Sequence, residues 1–259
     1  MGRSRRRRLG QNFLVDVDVA NRIVDLLQST PSQVIEIGPG RGALTEPLLD
    51  RVDRVRALEL DEALIPALHE RFSGRGLEVV HVDALTAPLD DVIDGEEKWQ
   101  LTSNLPYSVG TAILRRLMPR HDLFTRMVVM LQREVAHRVV AEPGSGNHGL
   151  MALERSAWAD AYIAFTVDPR AFRPVPKVHS AVVVLDLKPA VAAASEIERA
   201  LKIAGRALTL SRKKLSNALG GGFDREAIEA AGLDPNARPG TIPLDGWLRL
   251  AAVQVQDPG

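Results

Sequence analysis

Along the first 187 residues, short runs of β-branched and apolar residues alternate with amphipathic segments. The runs predict five strands, at residues 32–38, 54–60, 77–83, 99–104 and 126–132. The segments between them carry apolar residues at helical spacing and predict helices within 43–52, 61–72 and 110–118. Strands that alternate with helices favour βαβ units, and therefore a mostly parallel sheet.

Two further strands are predicted near the end of this region, at residues 161–167 and 180–187. The segment between them leaves no room for a crossover helix, so the two strands are expected to pair antiparallel, as a hairpin at the sheet edge. The predicted fold class is therefore α/β, an open and mostly parallel sheet with an antiparallel edge strand.

The pattern changes after residue 187, where the apolar spacing predicts only helices. They are expected at residues 190–210, 212–219, 225–232 and 244–253. Glycine-rich and proline-containing turns separate these segments. Two domains are therefore predicted, a sheet domain over residues 1–187 and a small all-α domain over residues 188–259.

Composition removes several classes of function. The chain has no cysteine, which excludes disulfides and thiolate metal sites, and its six histidines lack metal-ligand spacing, so no metal is expected. No run of 18 apolar residues occurs, so no membrane span is expected. These features favour a cytoplasmic protein.

Charge is unevenly placed although the formal net charge is zero. Four consecutive arginines, Arg5, Arg6, Arg7 and Arg8, precede the first acidic residue, and a second basic cluster contains Arg212, Lys213 and Lys214. Each cluster alone is typical of a solvated tail or helix face. Two of them in one chain favour an anionic polymer as a partner.

The segment VIEIGPGRGALT, residues 34–45, places Gly38, Gly40 and Gly42 between a predicted strand and a predicted helix. Glycine allows a tight turn and a close approach of the backbone to a ligand. Glu59 ends the next strand, nineteen residues beyond Gly40, where a carboxylate can bind both ribose hydroxyls. The pattern indicates a nucleotide site at the carboxyl edge of the sheet.

Asp83 ends the third strand, where its carboxylate can accept a hydrogen bond from an adenine amino group. Capping of a following helix is the alternative for Asp83, and it is the better interpretation of Asp61. Glu36 precedes the glycines, and its negative charge would repel a pyrophosphate but suit a cation. S-adenosylmethionine combines ribose and adenine with a cationic sulfonium, and this segment resembles the first motif of the class I methyltransferases that bind it.

The fourth strand runs into the segment LTSNLPYSVG, residues 101–110. The Asn104 side-chain oxygen and the backbone carbonyl of Leu105 or Pro106 can accept hydrogen bonds from both N–H groups of an exocyclic adenine amine. Such bonds would aim the nitrogen lone pair at a methyl donor. Tyr107 offers a face for stacking an extruded base. A loop with a capping asparagine and a half-buried tyrosine is the alternative.

Asn-Leu-Pro-Tyr after such a glycine motif resembles the signature of N6-adenine methyltransferases. The whole chain resembles the ribosomal RNA adenine dimethyltransferase family, through the segments RRLGQNFL, ALELD, VDAL, MLQREVAHRVVAEPGS and AFRPVPKVHSAVV. The resemblance implies a Rossmann-like class I methyltransferase domain. It also implies that Gln11, Asn12, Leu14 and Asn104 contact S-adenosylmethionine, and that Phe172 stacks on the target base opposite Tyr107.

The segment RKKLSNAL and residues 231–251 resemble the branch of this family that dimethylates two adjacent adenosines near the 3′ end of small-subunit (16S) rRNA. That resemblance implies small-subunit rRNA, or an immature small subunit, as the partner. A monomer is expected, since nothing in the sequence demands a larger assembly. Ser108, Gly110 and His179 depart from the usual residues of this branch. A large-subunit rRNA methyltransferase that confers macrolide resistance, a non-catalytic nucleic-acid-binding relative and a small-molecule methyltransferase are the alternatives.

Overall fold

The computed structural model describes residues 12–93 and 97–253, and its contacts group the chain into two compact units. The sheet unit comprises Met1–Ala136 and Asp160–Lys188, and the helical unit comprises His137–Ala159 and Pro189–Gly259. The sequence predicts a boundary after residue 187, and the sheet unit ends one residue later, at Lys188. The grouping also assigns residues 137–159 to the helical unit. Whether either unit is an independent domain stays a prediction.

Short apolar runs form the strands of the sheet unit, as their pattern predicts. In chain order these strands are β1 (Phe13–Leu14), β2 (Gln33–Ile37), β3 (Arg54–Glu59), β4 (Leu77–His81), β5 (Trp99–Asn104), β6 (Phe124–Gln132), β7 (Ala159–Val167), β8 (Phe172–Arg173) and β9 (Ser180–Leu187). Seven of them form one sheet in the spatial order β4-β3-β2-β5-β6-β9-β7, and β1 pairs with β8 separately.

Five adjacent strands, in the spatial order β4, β3, β2, β5 and β6, pair in parallel, and β9 pairs antiparallel with β6. The predicted α/β class with a mostly parallel sheet is confirmed. The reversed strand β9 is second from the edge rather than at the edge, because β7 hydrogen-bonds along its outer side. Nearly all of β2 and β5 is buried, as expected for strands in the middle of a sheet covered on both faces.

Helices lie between consecutive strands of the sheet unit; the first lies between β1 and β2, and the others connect parallel strands. They are α1 (Val17–Val24), α2 (Thr45–Leu49), α3 (Ile65–Arg71), α4 (Leu89–Val92) and α5 (Gly110–Leu117). Helix α1 is missing from the sequence prediction, although Asp16 caps it by accepting a 3.0 Å hydrogen bond from the Val19 N–H. A further helix, α6 (Arg133–Val139), follows β6 and crosses the division between the units.

Up to residue 253, the last that the structure describes, the helical unit contains five further α-helices. They are α7 (Leu150–Trp158), α8 (Ala194–Leu208), α9 (Leu215–Leu219), α10 (Arg225–Ala230) and α11 (Leu244–Ala252). Trp247 is fully buried in their apolar core, and its indole N–H donates to the Ile242 carbonyl at 3.1 Å. Among the described residues, no helix is both long and apolar enough to cross a membrane.

Candidate active site

A cavity of about 280 Å³ opens at the carboxyl ends of β2, β3 and β5, within the sheet unit. Parallel strands bring their carboxyl ends to the same edge of a sheet, so residues that are distant in the chain meet there. Ten of the predicted site residues line the cavity: Asn12, Leu14, Gly38, Gly40, Glu59, Asp83, Asn104, Leu105, Pro106 and Tyr107. The structure thus brings together residues predicted from the strand ends and two, Asn12 and Leu14, that the family resemblance implies.

The glycine loop turns sharply after β2. Gly38 and Gly40 have φ angles of +66° and +58°, a region that residues with a Cβ rarely adopt. A Cβ on Gly40 would also lie 3.2 Å from the ring of Phe13, which belongs to β1. Gly38 is therefore required only for its backbone conformation, whereas Gly40 also allows the close approach of the loop to Phe13.

Glu59 is buried at the end of β3, where backbone N–H groups hold both of its carboxylate oxygens. Gly40 donates to Oε2 at 3.1 Å, and Asp61 donates to Oε1 at 2.8 Å. Each carboxylate oxygen can accept a second hydrogen bond. The side chain is therefore fixed, and it retains the capacity to accept from two neighbouring hydroxyls in the cavity.

Glu36 lines the cavity but is almost fully buried, with 1% of its surface exposed. Thr45 donates its hydroxyl to Glu36 Oε2 at 2.6 Å. Burial raises the Glu36 pKa from 4.5 to about 7; the Thr45 hydrogen bond opposes this rise, and the nearby Glu59 carboxylate adds to it. Near neutral pH, Glu36 therefore carries only part of the negative charge that the sequence argument assigned to it, and a bound cation would favour its ionised form.

Asp83 has a local hydrogen bond in a turn and also a place at the cavity, so its predicted contact with an adenine amine stays a prediction. Its Oδ1 accepts a 2.8 Å hydrogen bond from the Leu85 N–H and so stabilises the turn after β4, while the half-buried side chain also lines the cavity. Asp61 has only the capping role, accepting from the Ala63 N–H at 3.2 Å. Arg116, which the sequence analysis missed, donates to the carbonyls of Ala84 and Ala87 and holds the loop that carries Asp83.

Asn104 at the end of β5 has a defined amide orientation. Its Nδ2 donates to the Asn12 carbonyl at 3.2 Å, which leaves Oδ1 as the acceptor of this cavity-lining side chain. The Pro106 carbonyl already accepts from Gly110 at 2.7 Å and from Val109 at 3.2 Å, the first bonds of the turn into α5. The Leu105 carbonyl is thus the better candidate for a second acceptor beside Asn104.

The two aromatic residues assigned to base stacking differ in position. Tyr107 is half-buried and lines the cavity, and its hydroxyl lies 2.6 Å from the hydroxyl of Ser180, a contact that the sequence analysis did not foresee. Phe172 is fully buried opposite Leu14 in the β1–β8 pair and is absent from the cavity lining. A stacking role for Phe172 stays a prediction, and it requires the ring to be uncovered.

Two further side chains at the cavity had no signal of their own in the sequence pattern. The Phe13 ring packs on the glycine loop, and the Arg41 guanidinium lies 4.8 Å from the centre of that ring. Both positions fall inside segments that resemble family motifs, so an aligned family could have shown them. Gln11 and the cluster Arg5, Arg6, Arg7 and Arg8 lie outside the described residues.

The second basic cluster belongs to the helical unit. Arg212, Lys213 and Lys214 are exposed in the turn before α9, rather than in a helix as predicted. Lys214 Nζ donates to Asn236 Oδ1 at 3.0 Å, which gives this turn a defined place in the unit. Within residues 12–93 and 97–253, no group of three His, Cys, Asp or Glu side chains could hold a metal ion.

The chain matches a known protein family over nearly its whole length. The family described as ribosomal RNA adenine dimethylase matches residues 2–254 of the chain. The chain belongs to this family. Two relatives, each named ribosomal RNA small subunit methyltransferase A, are 39% identical: the protein of Geobacter metallireducens, over 95% of this chain and 94% of its own length, and that of Magnetococcus marinus, over 96% and 92%.

Solved structures agree with this assignment to the dimethylase family. The 23S rRNA methyltransferase ErmE superposes with a TM-score of 0.73 at 27% identity, over 93% of this chain and 98% of its own. A dimethyladenosine transferase from Plasmodium falciparum superposes with a TM-score of 0.77 at 21% identity, over 92% and 95%, and supports the fold alone. The class I methyltransferase fold is therefore confirmed.

S-adenosylmethionine is the cofactor of this dimethylase-family chain. The cavity has the chemistry that this cofactor requires. Glu59 offers acceptors for ribose hydroxyls, Asp83 can accept from an adenine amine, and Glu36 is ready to ionise beside a cation. Apolar side chains, including Ile37, Leu58 and Val82, line the space between these polar groups.

Proposed function

We propose that this chain uses S-adenosylmethionine to dimethylate N6 of two adjacent adenosines in a hairpin near the 3′ end of small-subunit rRNA, during ribosome biogenesis. The observation that carries the proposal is the oriented Asn104 amide beside the nucleoside pocket. Its nitrogen is bonded to the Asn12 carbonyl, so its oxygen is left as an acceptor. An acceptor is the group required to bind an amino group that must expose its lone pair.

At the cofactor end, each residue has a separate task. Glu59 accepts from the ribose hydroxyls and Asp83 from the adenine amine, while Gly38 and Gly40 admit the methionine portion. Asn12 and Leu14 cover the pocket from β1, and Gln11 is assigned beside them. When bound, the cofactor supplies a methyl group that its positively charged sulfur makes transferable.

At the target end, positioning replaces strong base catalysis. Asn104 Oδ1 and the Leu105 carbonyl accept from the two N6–H groups, which turns the nitrogen lone pair toward the methyl donor. Pro106 stiffens this turn because its φ angle is fixed. Tyr107 stacks on the extruded base, a contact worth about 1–3 kcal/mol, and Phe172 is assigned to its other face.

Basic residues supply the affinity for RNA. Arg212, Lys213 and Lys214 are exposed and offer three cations to phosphates. We assign the same task to Arg5, Arg6, Arg7 and Arg8. The protein acts as a monomer in the cytoplasm, on an immature small ribosomal subunit, whose single-stranded loops present unstacked bases.

The test uses small ribosomal subunits from cells that lack their dimethylase, incubated with the protein and methyl-labelled S-adenosylmethionine. Large subunits are treated in parallel, and the RNA is digested to nucleosides for mass spectrometry. The proposal predicts N6,N6-dimethyladenosine in small-subunit RNA alone. Methylation of large-subunit RNA alone would move the chain to the resistance branch. Cofactor binding without transfer to either subunit would assign it a binding role instead.

A further inference from the structure

The side chain of Tyr107 is restrained at its backbone by a turn and at its hydroxyl by a contact with one buried serine, Ser180. Tyr107 Oη and Ser180 Oγ are 2.6 Å apart, and Ser180 is fully buried. We propose that Ser180 is a positioning residue for methyl transfer, whose hydroxyl fixes the Tyr107 ring in the orientation that stacks on the target adenine. This inference rests on the proposed function, and it adds a residue to the target side of the site.

The backbone around Ser180 is rigid. Ser180 is the first residue of β9 and faces Gln132 in the antiparallel ladder between β6 and β9. The preceding carbonyl, that of His179, accepts a 2.9 Å hydrogen bond from the Arg133 N–H. Because the sheet fixes its backbone, the Ser180 hydroxyl can move only by rotation about χ1, and it offers the Tyr107 hydroxyl a partner at a defined place.

Tyr107 needs such an anchor because its own backbone fixes only one end of the side chain. The turn around it is closed by the 2.7 Å bond from the Gly110 N–H to the Pro106 carbonyl. Two torsion angles remain between that turn and the phenol hydroxyl. The hydroxyl contact restrains both, so the ring face is oriented before the base arrives. Stacking depends on that orientation, since a tilted ring covers less of the base.

The two hydroxyls depend on each other, which makes the proposal measurable. Replacing Tyr107 by Phe keeps the stacking face but leaves the buried Ser180 hydroxyl without its phenol partner. Replacing Ser180 by Ala keeps the phenol but removes its anchor. Either change breaks the same contact, so the second change made in the presence of the first has nothing further to break.

The experiment measures kcat and KM for transfer to undermethylated small subunits by the wild-type chain, Ser180→Ala, Tyr107→Phe and the double variant. Each single variant is expected to lower kcat/KM about three- to tenfold, the range for one lost hydrogen bond. The kcat/KM of the double variant should be no lower than that of the less active single variant. The ratio of monomethyl- to dimethyladenosine should rise, because a loosely held base leaves before its second methylation, while the Kd for S-adenosylmethionine stays within about twofold.

Two control variants separate positioning from stability. Thr102→Val removes another buried hydroxyl, which donates to the Val128 carbonyl at 3.0 Å in the same sheet, and it should keep the wild-type product ratio. Ser180→Thr retains a hydroxyl and should restore that ratio toward wild type.

Two results would overturn the inference. Losses that multiply in the double variant would show that the hydroxyls act independently. A wild-type product ratio in Ser180→Ala, with activity falling only as the folded fraction falls, would make the serine purely structural. A wild-type chain without transfer activity would instead overturn the proposed function, and this inference with it.

Discussion

Exchanging Glu36 for glutamine should make the protein more stable at alkaline pH than the wild type. Glu36 is buried with a pKa of about 7, whereas an exposed glutamate has its ordinary value of 4.5. The unfolded chain therefore releases this proton more readily than the folded chain does. The folded state loses stability as the pH rises from about 4.5 to about 7, and the loss is complete above that range.

The size of this effect follows from the two pKa values. At about 1.4 kcal/mol for each pH unit, the difference between 4.5 and about 7 corresponds to about 3 kcal/mol of stability at pH 8. Glutamine has a similar shape, and its oxygen can still accept from the Thr45 hydroxyl, but it does not titrate. The Glu36→Gln variant should therefore avoid this loss.

Urea unfolding of both proteins without cofactor, from pH 5 to pH 8, measures the effect. The free energy of unfolding of Glu36→Gln minus that of the wild type should increase by about 2.5 kcal/mol across this range, because part of the loss occurs below pH 5. A constant difference would refute the reasoning, because it would mean that Glu36 titrates alike in the folded and unfolded chains. Thr45→Val, which removes the hydrogen bond that opposes the raised pKa, should steepen the pH dependence.

Three further predictions concern the glycine loop, the Asp83 loop and the basic turn. Gly42→Ala should lower the free energy of unfolding in urea by about 2–4 kcal/mol, because φ is +83° and the new Cβ would lie 2.5 Å from the Phe72 ring. The control variant Gly74→Ala has a φ of +75° but an unobstructed Cβ position, and it should lower the free energy of unfolding by only about 1 kcal/mol. Arg116→Ala should raise the Kd for S-adenosylmethionine, measured by calorimetry, about three- to tenfold, because Arg116 holds the loop that carries Asp83. Arg115→Ala on the same helix should leave this Kd unchanged. Equal Kd values for the two variants would show that Arg116 does not support the cofactor site. Replacing Arg212, Lys213 and Lys214 by Gln should reduce the slope of log K for RNA binding against log salt concentration by about 2, while the affinity for the cofactor stays unchanged. A parallel loss of RNA affinity and cofactor affinity would show that these residues do not act on RNA alone.

The sheet could be predicted from sequence because its strands are apolar and separated by amphipathic helices. Strand β5, residues 99–104, and strand β9, residues 180–187, have the predicted bounds. The pair β1–β8 could not be predicted, since each strand has two residues and exists only through its distant partner. The position of β9 inside the edge likewise depends on where β7 pairs.

Most of the cavity followed from chemistry at strand ends, and the exceptions depend on tertiary packing. The raised pKa of Glu36 requires the burial of β2, which the glycine motif does not reveal. Ser180 belongs to an ordinary strand pattern, and only the fold brings its hydroxyl to Tyr107. Phe172 is the opposite case: the resemblance implies that its ring contacts the base, whereas the structure buries the ring completely where β8 pairs with β1.

Asn104 is proposed to orient adenine N6 of small-subunit rRNA for double methylation. The most direct measurement expresses this chain, or its Asn104→Ala variant, in bacteria that lack their own small-subunit dimethylase. Nucleosides of the small-subunit rRNA are then quantified by mass spectrometry, with S-adenosylmethionine affinity measured on the purified proteins. We expect the wild type to restore N6,N6-dimethyladenosine and the variant to restore none, although the contacts at Glu59 and Asp83 keep its S-adenosylmethionine binding measurable. Equal restoration by both proteins, or by neither, would contradict the account.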